Sequence, residues 1–233
     1  MTIDNSEIIL KWYIDLEERF VSLTKSIPIN PKNIKVELPL LASIIVEGGS
    51  LIDTIFREEC NNGKRKDRNN IGAYCKYFEP QIHLMNALSV PLVFPPQYLN
   101  PFKGWYVKSR NDYKARKWWQ NYNFIKHSRI ENSHFSTMET AFLTLCGLHQ
   151  VMTKIDIFID SLLRNGFVSY GGLNLDYLLN KIRNKEYYGR ILIETKLFAT
   201  PFGIHNFPKD INHIRPIDWG SSRKFSEFLG RES

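Results

Sequence analysis

The sequence predicts an all-α protein, and three observations support that prediction. Apolar residues recur at intervals of three and four positions along several long segments, which is the spacing of a buried helix face. Prolines concentrate between these segments, and 43% of the residues are hydrophobic, which is enough for a continuous core. We therefore expect a helical bundle with a long proline-rich loop and an irregular C-terminal extension.

Two helices are predicted in the first quarter of the chain. The first begins after Ser6, which is a suitable N-cap, and ends before Pro28. The second spans about 37–58 and contains Gly48 and Gly49. Because two adjacent glycines destabilise a helix by about 1 kcal/mol each, they indicate a kink or the close approach of a neighbouring backbone.

The middle of the chain is predicted to contain three further helices, and a long connection separates the first of them from the other two. One helix is predicted over about 71–88, although Pro80 lies inside it, and two more over about 112–130 and 137–164. The stretch 90–105 is predicted to be a long ordered connection, because it contains Pro91, Pro95, Pro96 and Pro101.

The helical pattern weakens after residue 165. A short helix is predicted near 173–182 and a strand near 190–198, followed by an irregular tail. We divide the chain into a helical bundle over 1–165 and an extension over 166–233 that packs on the same domain.

The composition predicts a cytoplasmic protein that does not enter a membrane. The N-terminal residues lack the pattern of a secretion signal, and no run of 18 apolar residues occurs. Cys60, Cys75 and Cys146 are odd in number and unpatterned in spacing, as expected in a reducing compartment. Cys60, Cys75 and His83 lack the paired spacing of a metal site, so we expect no metal.

The net charge of +7 is concentrated in two places. Segment 103–131 holds eight cations and two anions, and segment 64–68 holds four cations and one anion. Localised positive charge is typical of a surface that binds a polyanion, and the alternative is that these side chains simply solvate exposed helices.

The predicted helix over 112–130 carries the best candidate residues. Trp119, Asn123 and His127 follow one another at four-residue intervals and are expected to form one stripe, flanked by Lys126. An imidazole titrates near neutral pH and can move the proton of an RNA 2′-hydroxyl while a cation stabilises the phosphorane, without a metal. Arg116 is about 16 Å from His127 along such a helix. The alternative is that the tryptophans anchor the core and the polar residues bond a neighbouring helix.

A resemblance to a known family extends this interpretation. The run W-W-x-x-Y-N-x-x-K-H over 118–127, preceded by N-P-F-K-G-W at 100–105 and followed by the apolar helix from Thr137, resembles the HEPN superfamily, particularly its Abi-like branches. The first two helices, including Trp12 and Glu47, are similar in pattern, so the resemblance covers about 8–165.

The resemblance implies a helical bundle that forms a homodimer and a metal-independent endoribonuclease site without cofactors. It also implies RNA or a nucleotide as ligand, and a cognate antitoxin or defence-system protein as a further partner in a toxin or abortive-infection system. The family motif is an arginine, commonly followed by a polar residue, and then a histidine after four to six intervening positions. Asn123 and His127 match the polar residue and the histidine, whereas Gln120, Asn121 and Tyr122 occupy the positions open to the arginine.

Two functions follow as alternatives. In the first, His127 and Asn123 are catalytic, Lys126, Arg129, Arg116 and Trp119 contact RNA, and Glu47 and Tyr122 are accessory. In the second, the same fold is catalytically inactive and serves as an RNA-binding, nucleotide-binding or regulatory module. A third reading is that protein partners bind the loop over 90–105 and the tail.

Overall fold

The computed structural model has its core in a helical bundle, and the predicted predominance of helix is confirmed. It describes residues 1–61, 71–93, 97–105, 115–169 and 192–202, with isolated positions at 176, 177, 180 and 184. The helices within these ranges are α1 (Ile3–Ser26), α2 (Pro39–Asn61), α3 (Ile71–Ile82), α4 (Lys117–His127), α5 (Met138–Lys154) and α6 (Ile159–Arg164). The basic segment 64–68 and most of the predicted helix near 173–182 lie outside the described residues.

Helix α1 starts earlier than predicted. Thr2, and not Ser6, is the N-cap, and its side-chain oxygen accepts a hydrogen bond from the Asn5 amide. Ser6 lies inside the helix, where it is fully buried and its hydroxyl bonds the Ile3 carbonyl and the Ser161 hydroxyl. The buried face of α1 then follows the predicted apolar spacing.

Helix α2 is the central helix, packed against α1, α3, α4 and α5. Its two glycines make room for side chains of two different helices, and not for the neighbouring backbone or the kink that the sequence suggested. A Cβ on Gly48 would lie 3.0 Å from the Thr144 methyl of α5, and one on Gly49 would lie 2.3 Å from the Tyr122 ring of α4. The segment Pro39–Cys60 is long and apolar enough to span a membrane by length and composition alone, as core helices often are, and half of it is buried here.

Helix α3 ends at Ile82 and not near Leu88 as predicted. His83 adopts the left-handed conformation with φ 50°, which stops the helix. The Glu79 carboxylate then accepts hydrogen bonds from the Met85 amide at 3.0 Å, which fixes the following 3-10 turn, Leu84–Asn86.

The helix predicted over 137–164 is in fact two helices. It starts as predicted, with Thr137 as N-cap, but Ile155 is extended and the chain bends by 90° before α6. The apolar spacing continues through Ile155 and Ile159 because both residues are buried, so periodicity alone did not reveal the break. After the bend α6 packs against α1, whereas α5 packs mainly against α2.

A small antiparallel sheet is the correction to the all-α prediction. Its strands are β1 (Val90–Pro91), β2 (Val168–Ser169), β3 (Leu192–Glu194) and β4 (Phe198–Pro201), in the order β1-β4-β3-β2. Pro91 is accommodated because β1 is an edge strand. The predicted strand over 190–198 corresponds to β3 and the start of β4, and the Phe198 ring packs on the Phe142 ring of α5.

Candidate functional site

Helix α4 is held firmly on one side by the bundle. The Trp118 indole donates a hydrogen bond of 2.8 Å to the Pro101 carbonyl, and its ring meets Gly147 of α5. Asn121 donates from its amide to the Thr140 hydroxyl at 3.0 Å. These contacts fix which side of α4 faces the core, because both side chains are buried.

The three side chains of the predicted stripe, Trp119, Asn123 and His127, become steadily more exposed along α4. Each step of four residues rotates by about 40° around a helix, so eight residues span about 80°. Trp119 is therefore buried at 5% exposure, Asn123 is half-buried and His127 is exposed. The Trp119 ring is enclosed by Trp118 and Tyr122 and is a core residue with no open face for a nucleobase. Asn123 bonds the Trp119 carbonyl of its own helix.

Lys126 and His127 form the exposed end of α4. The Lys126 ammonium donates a hydrogen bond of 2.9 Å to the Tyr122 hydroxyl, and it lies 5.2 Å from the centre of the Tyr122 ring. The Tyr122 oxygen is in turn 3.4 Å from the Ser50 hydroxyl of α2. Tyr122 thus holds the Lys126 ammonium at the same end of α4 as His127.

The two arginines predicted to contact RNA lie at opposite ends of α4. Arg129 is exposed, two residues beyond the helix and close to His127 in sequence. Arg116 is the N-cap residue at the other end and approaches Gly104. Since α4 is 11 residues long, Arg116 is about 16 Å from His127 along the axis, so the two do not share one phosphate.

Glu47, which was expected to be an accessory residue of the site, forms an ion pair between α1 and α2. Both of its carboxylate oxygens accept hydrogen bonds from the Arg19 guanidinium of α1, at 3.2 Å for the first pair. Arg19 also pairs with Asp15 at 3.0 Å. Glu47 therefore links α1 to α2, and its carboxylate is bound by the Arg19 guanidinium.

The sequence reasoning missed a buried carboxylate, Glu17. It is 1% exposed and accepts hydrogen bonds from the hydroxyls of Tyr13 and Thr195 and from the amides of Lys196 and Leu197. Burial raises the pKa of the Glu17 carboxyl, while these hydrogen bonds oppose that shift. Its position four residues after Tyr13, within the apolar spacing of α1, was the available signal.

His149 is another buried titratable group, fully enclosed in the core. Its Nδ1 is 2.9 Å from the Thr200 hydroxyl, which also bonds Ser89 at 2.6 Å. Desolvation, with a smaller contribution from the charge of Lys154, lowers the pKa of His149 to about 3. The imidazole is therefore neutral and has no route to solvent-borne substrate, which leaves His127 as the better acid-base candidate.

The remaining predictions concern charge and metals. Lys103 is exposed, whereas the cations at 108, 110 and 114 lie outside the described residues. Within the ranges that the structure describes, no three His, Cys, Asp or Glu side chains group closely enough to hold a metal ion.

No protein-family model, curated protein or solved structure matches the chain, so the function of this site has to follow from its own chemistry.

Proposed function

We propose that this chain is a HEPN-like RNA-binding protein in which His127 is the acid-base group of a metal-independent endoribonuclease. The observation that carries the proposal is the fixed pairing of Lys126 with Tyr122 beside an exposed histidine. A cation is thereby available at the helix end where the family motif would otherwise supply an arginine.

The chemistry needs only one imidazole and one cation. The 2′-oxygen of the RNA forms a bond to the neighbouring phosphorus while His127 takes the 2′-proton, and Lys126 stabilises the added negative charge. The bond from phosphorus to the 5′-oxygen then breaks, and the imidazolium returns the proton to that oxygen. The products are a 2′,3′-cyclic phosphate and a free 5′-hydroxyl.

The test is RNA cleavage in the presence of a chelator. We expect wild type to produce ends with 2′,3′-cyclic phosphate, and His127→Ala to lose roughly 100-fold or more of the rate, as when a general acid-base group is removed. His83→Asn is the control, because His83 is also exposed, lies outside α4, and has a left-handed backbone that asparagine tolerates. Intact RNA with wild type would exclude cleavage.

The second candidate function is binding without cleavage. It is favoured by the residues at 120–122, none of which carries a positive charge. In that case wild type binds RNA without cutting it, with an affinity that falls steeply as salt is raised. Lys126→Ala would then weaken binding, whereas Lys25→Ala, in the last turn of α1, would not.

A further inference from the structure

The exposed face of α4 also presents an aromatic ring. Phe124 lies three residues before His127, a spacing that places the two side chains on neighbouring positions of the same helix surface. Its side chain is 47% exposed, although Phe is a residue type that is usually buried. An exposed ring one turn from the proposed reacting group therefore needs a reason.

The ring is supported from behind by the loop that follows α4. Phe135 stacks on Phe124 with ring centres 5.2 Å apart and an angle of 26° between their planes, and the His134 ring contacts Phe135. The Phe124 carbonyl accepts hydrogen bonds of 3.0 Å from the Ser128 amide and the Asn132 side chain. The loop is thus bound back onto the residue whose ring it supports.

The charges around the ring identify the chemistry of its occupant. Lys117 lies about two helical turns before Phe124 on the same side of α4, and Arg129 follows the end of the helix; both are exposed, whereas Glu131, the one anion within the described span 115–135, accepts a hydrogen bond from Ser128. A flat apolar surface among cations suits a ligand that combines aromatic rings with negative charge. Unpaired nucleobases on a phosphate backbone have that combination, whereas a duplex keeps its base faces stacked inside.

We infer that Phe124 is a nucleobase-stacking subsite and that the α4 surface therefore binds single-stranded RNA in preference to duplex RNA. The inference rests on the proposed function and deepens it. A base stacked on Phe124 holds its strand along the end of α4, so that a neighbouring nucleotide reaches His127 on the same side of the helix.

The test compares affinities of the purified full chain for three probes. These are a short unstructured oligoribonucleotide, its blunt duplex, and an abasic strand of the same charge, all with 2′-O-methyl groups that remove the attacking hydroxyl. Wild type should bind the single strand best. Phe124→Ala should lose roughly 5- to 150-fold of that affinity, the usual effect of one stacked base, and bind the abasic strand unchanged.

Two control variants separate stacking from other effects. Phe124→Trp keeps a flat ring and should retain affinity for the single strand. Trp12→Ala removes another exposed aromatic side chain, on α1, and should change nothing. Equal single-strand affinity of wild type and Phe124→Ala, or equal wild-type affinity for the abasic and the complete strand, would overturn the inference.

The outcomes also distinguish the inference from the proposed function. If wild type cleaves RNA but Phe124→Ala does not change the affinity for the single strand, only the stacking subsite is rejected. If binding depends on Phe124 but wild type does not cleave ordinary RNA, the nuclease activity is rejected and the stacking subsite is retained. If sedimentation shows a wild-type dimer that Phe124→Ala converts to monomer, this face is a subunit interface and the subsite is rejected.

Discussion

Glu17 shows how a single buried charge can organise a distant part of the chain. Its two oxygens receive four hydrogen bonds, and three of the donors belong to residues 195–197, which turn the chain between β3 and β4. The carboxylate replaces the backbone partners that a tight turn leaves unsatisfied. The interaction therefore joins α1 to a hairpin that follows it by almost 180 residues.

Removing that carboxylate should be costly. Glu17→Ala leaves three buried donors and one part-buried donor without their carboxylate acceptor, and we expect the free energy of unfolding to fall by about 3 kcal/mol. The adjacent Glu18→Ala is a natural control, because its pair with Lys196 is exposed and worth at most about 1 kcal/mol. Urea denaturation measures both, and equal effects of the two changes would contradict this account.

At the scale of elements, α4 is positioned by the glycines of α2. Helix α2 approaches α4 so closely that the Tyr122 ring occupies the volume of a side chain at position 49. The same ring carries the hydroxyl that holds Lys126. The packing of two helices and the position of the proposed phosphate-binding cation thus depend on one glycine.

Gly49→Ala should therefore destabilise the protein despite the better helix propensity of alanine. The gain of about 1 kcal/mol from propensity is outweighed by a contact of 2.3 Å, and we expect a net loss of about 2 kcal/mol. Gly48→Ala should cost less, since its Cβ would meet only the Thr144 methyl at 3.0 Å. Denaturation followed by tryptophan fluorescence measures the stability of both variants. A Gly49→Ala variant more stable than Gly48→Ala would contradict this prediction.

At the scale of the whole molecule, a buried polar network connects segments far apart in sequence. Gln150 donates to the Ser89 hydroxyl and to the carbonyls of Ala87 and Leu99, and Ser89 leads through Thr200 to His149. The network joins α5, the proline-rich connection and β4. It explains why part of the predicted loop is ordered and pairs as a strand.

Because it contains His149, this network makes the stability of the folded protein depend on pH. The folded pKa of His149 is about 3 against an ordinary value of 6.5, so between these values the unfolded chain binds a proton that the folded chain does not. Stability should therefore decline as pH falls from 6.5 towards 3, by up to about 1.4 kcal/mol per pH unit from this residue. Unfolding free energies of wild type and His149→Asn, measured across that range, should differ in slope. Parallel curves would rule out this role for His149.

Most helices could be predicted from the chain itself, because apolar spacing is a local property. The exceptions have local causes that the spacing does not record. Examples are the left-handed His83 that ends α3 and the extended Ile155 that separates α5 from α6. The sheet was largely missed because its strands are two to four residues long and because β1 pairs with β4 across about 110 positions.

The sequence by itself determined the helical class, the polar end of α4 and the residues Lys126 and His127 that make it chemically interesting. Only the tertiary structure decided that Trp119 is buried, that Glu47 is bound to Arg19, and that Phe124 faces outward. The reason is physical: spacing fixes the angles between residues on one helix, but the neighbouring helices decide which angle points to the core. For α4, contacts with α2, α5 and the segment around Pro101 determine which side of the helix is buried.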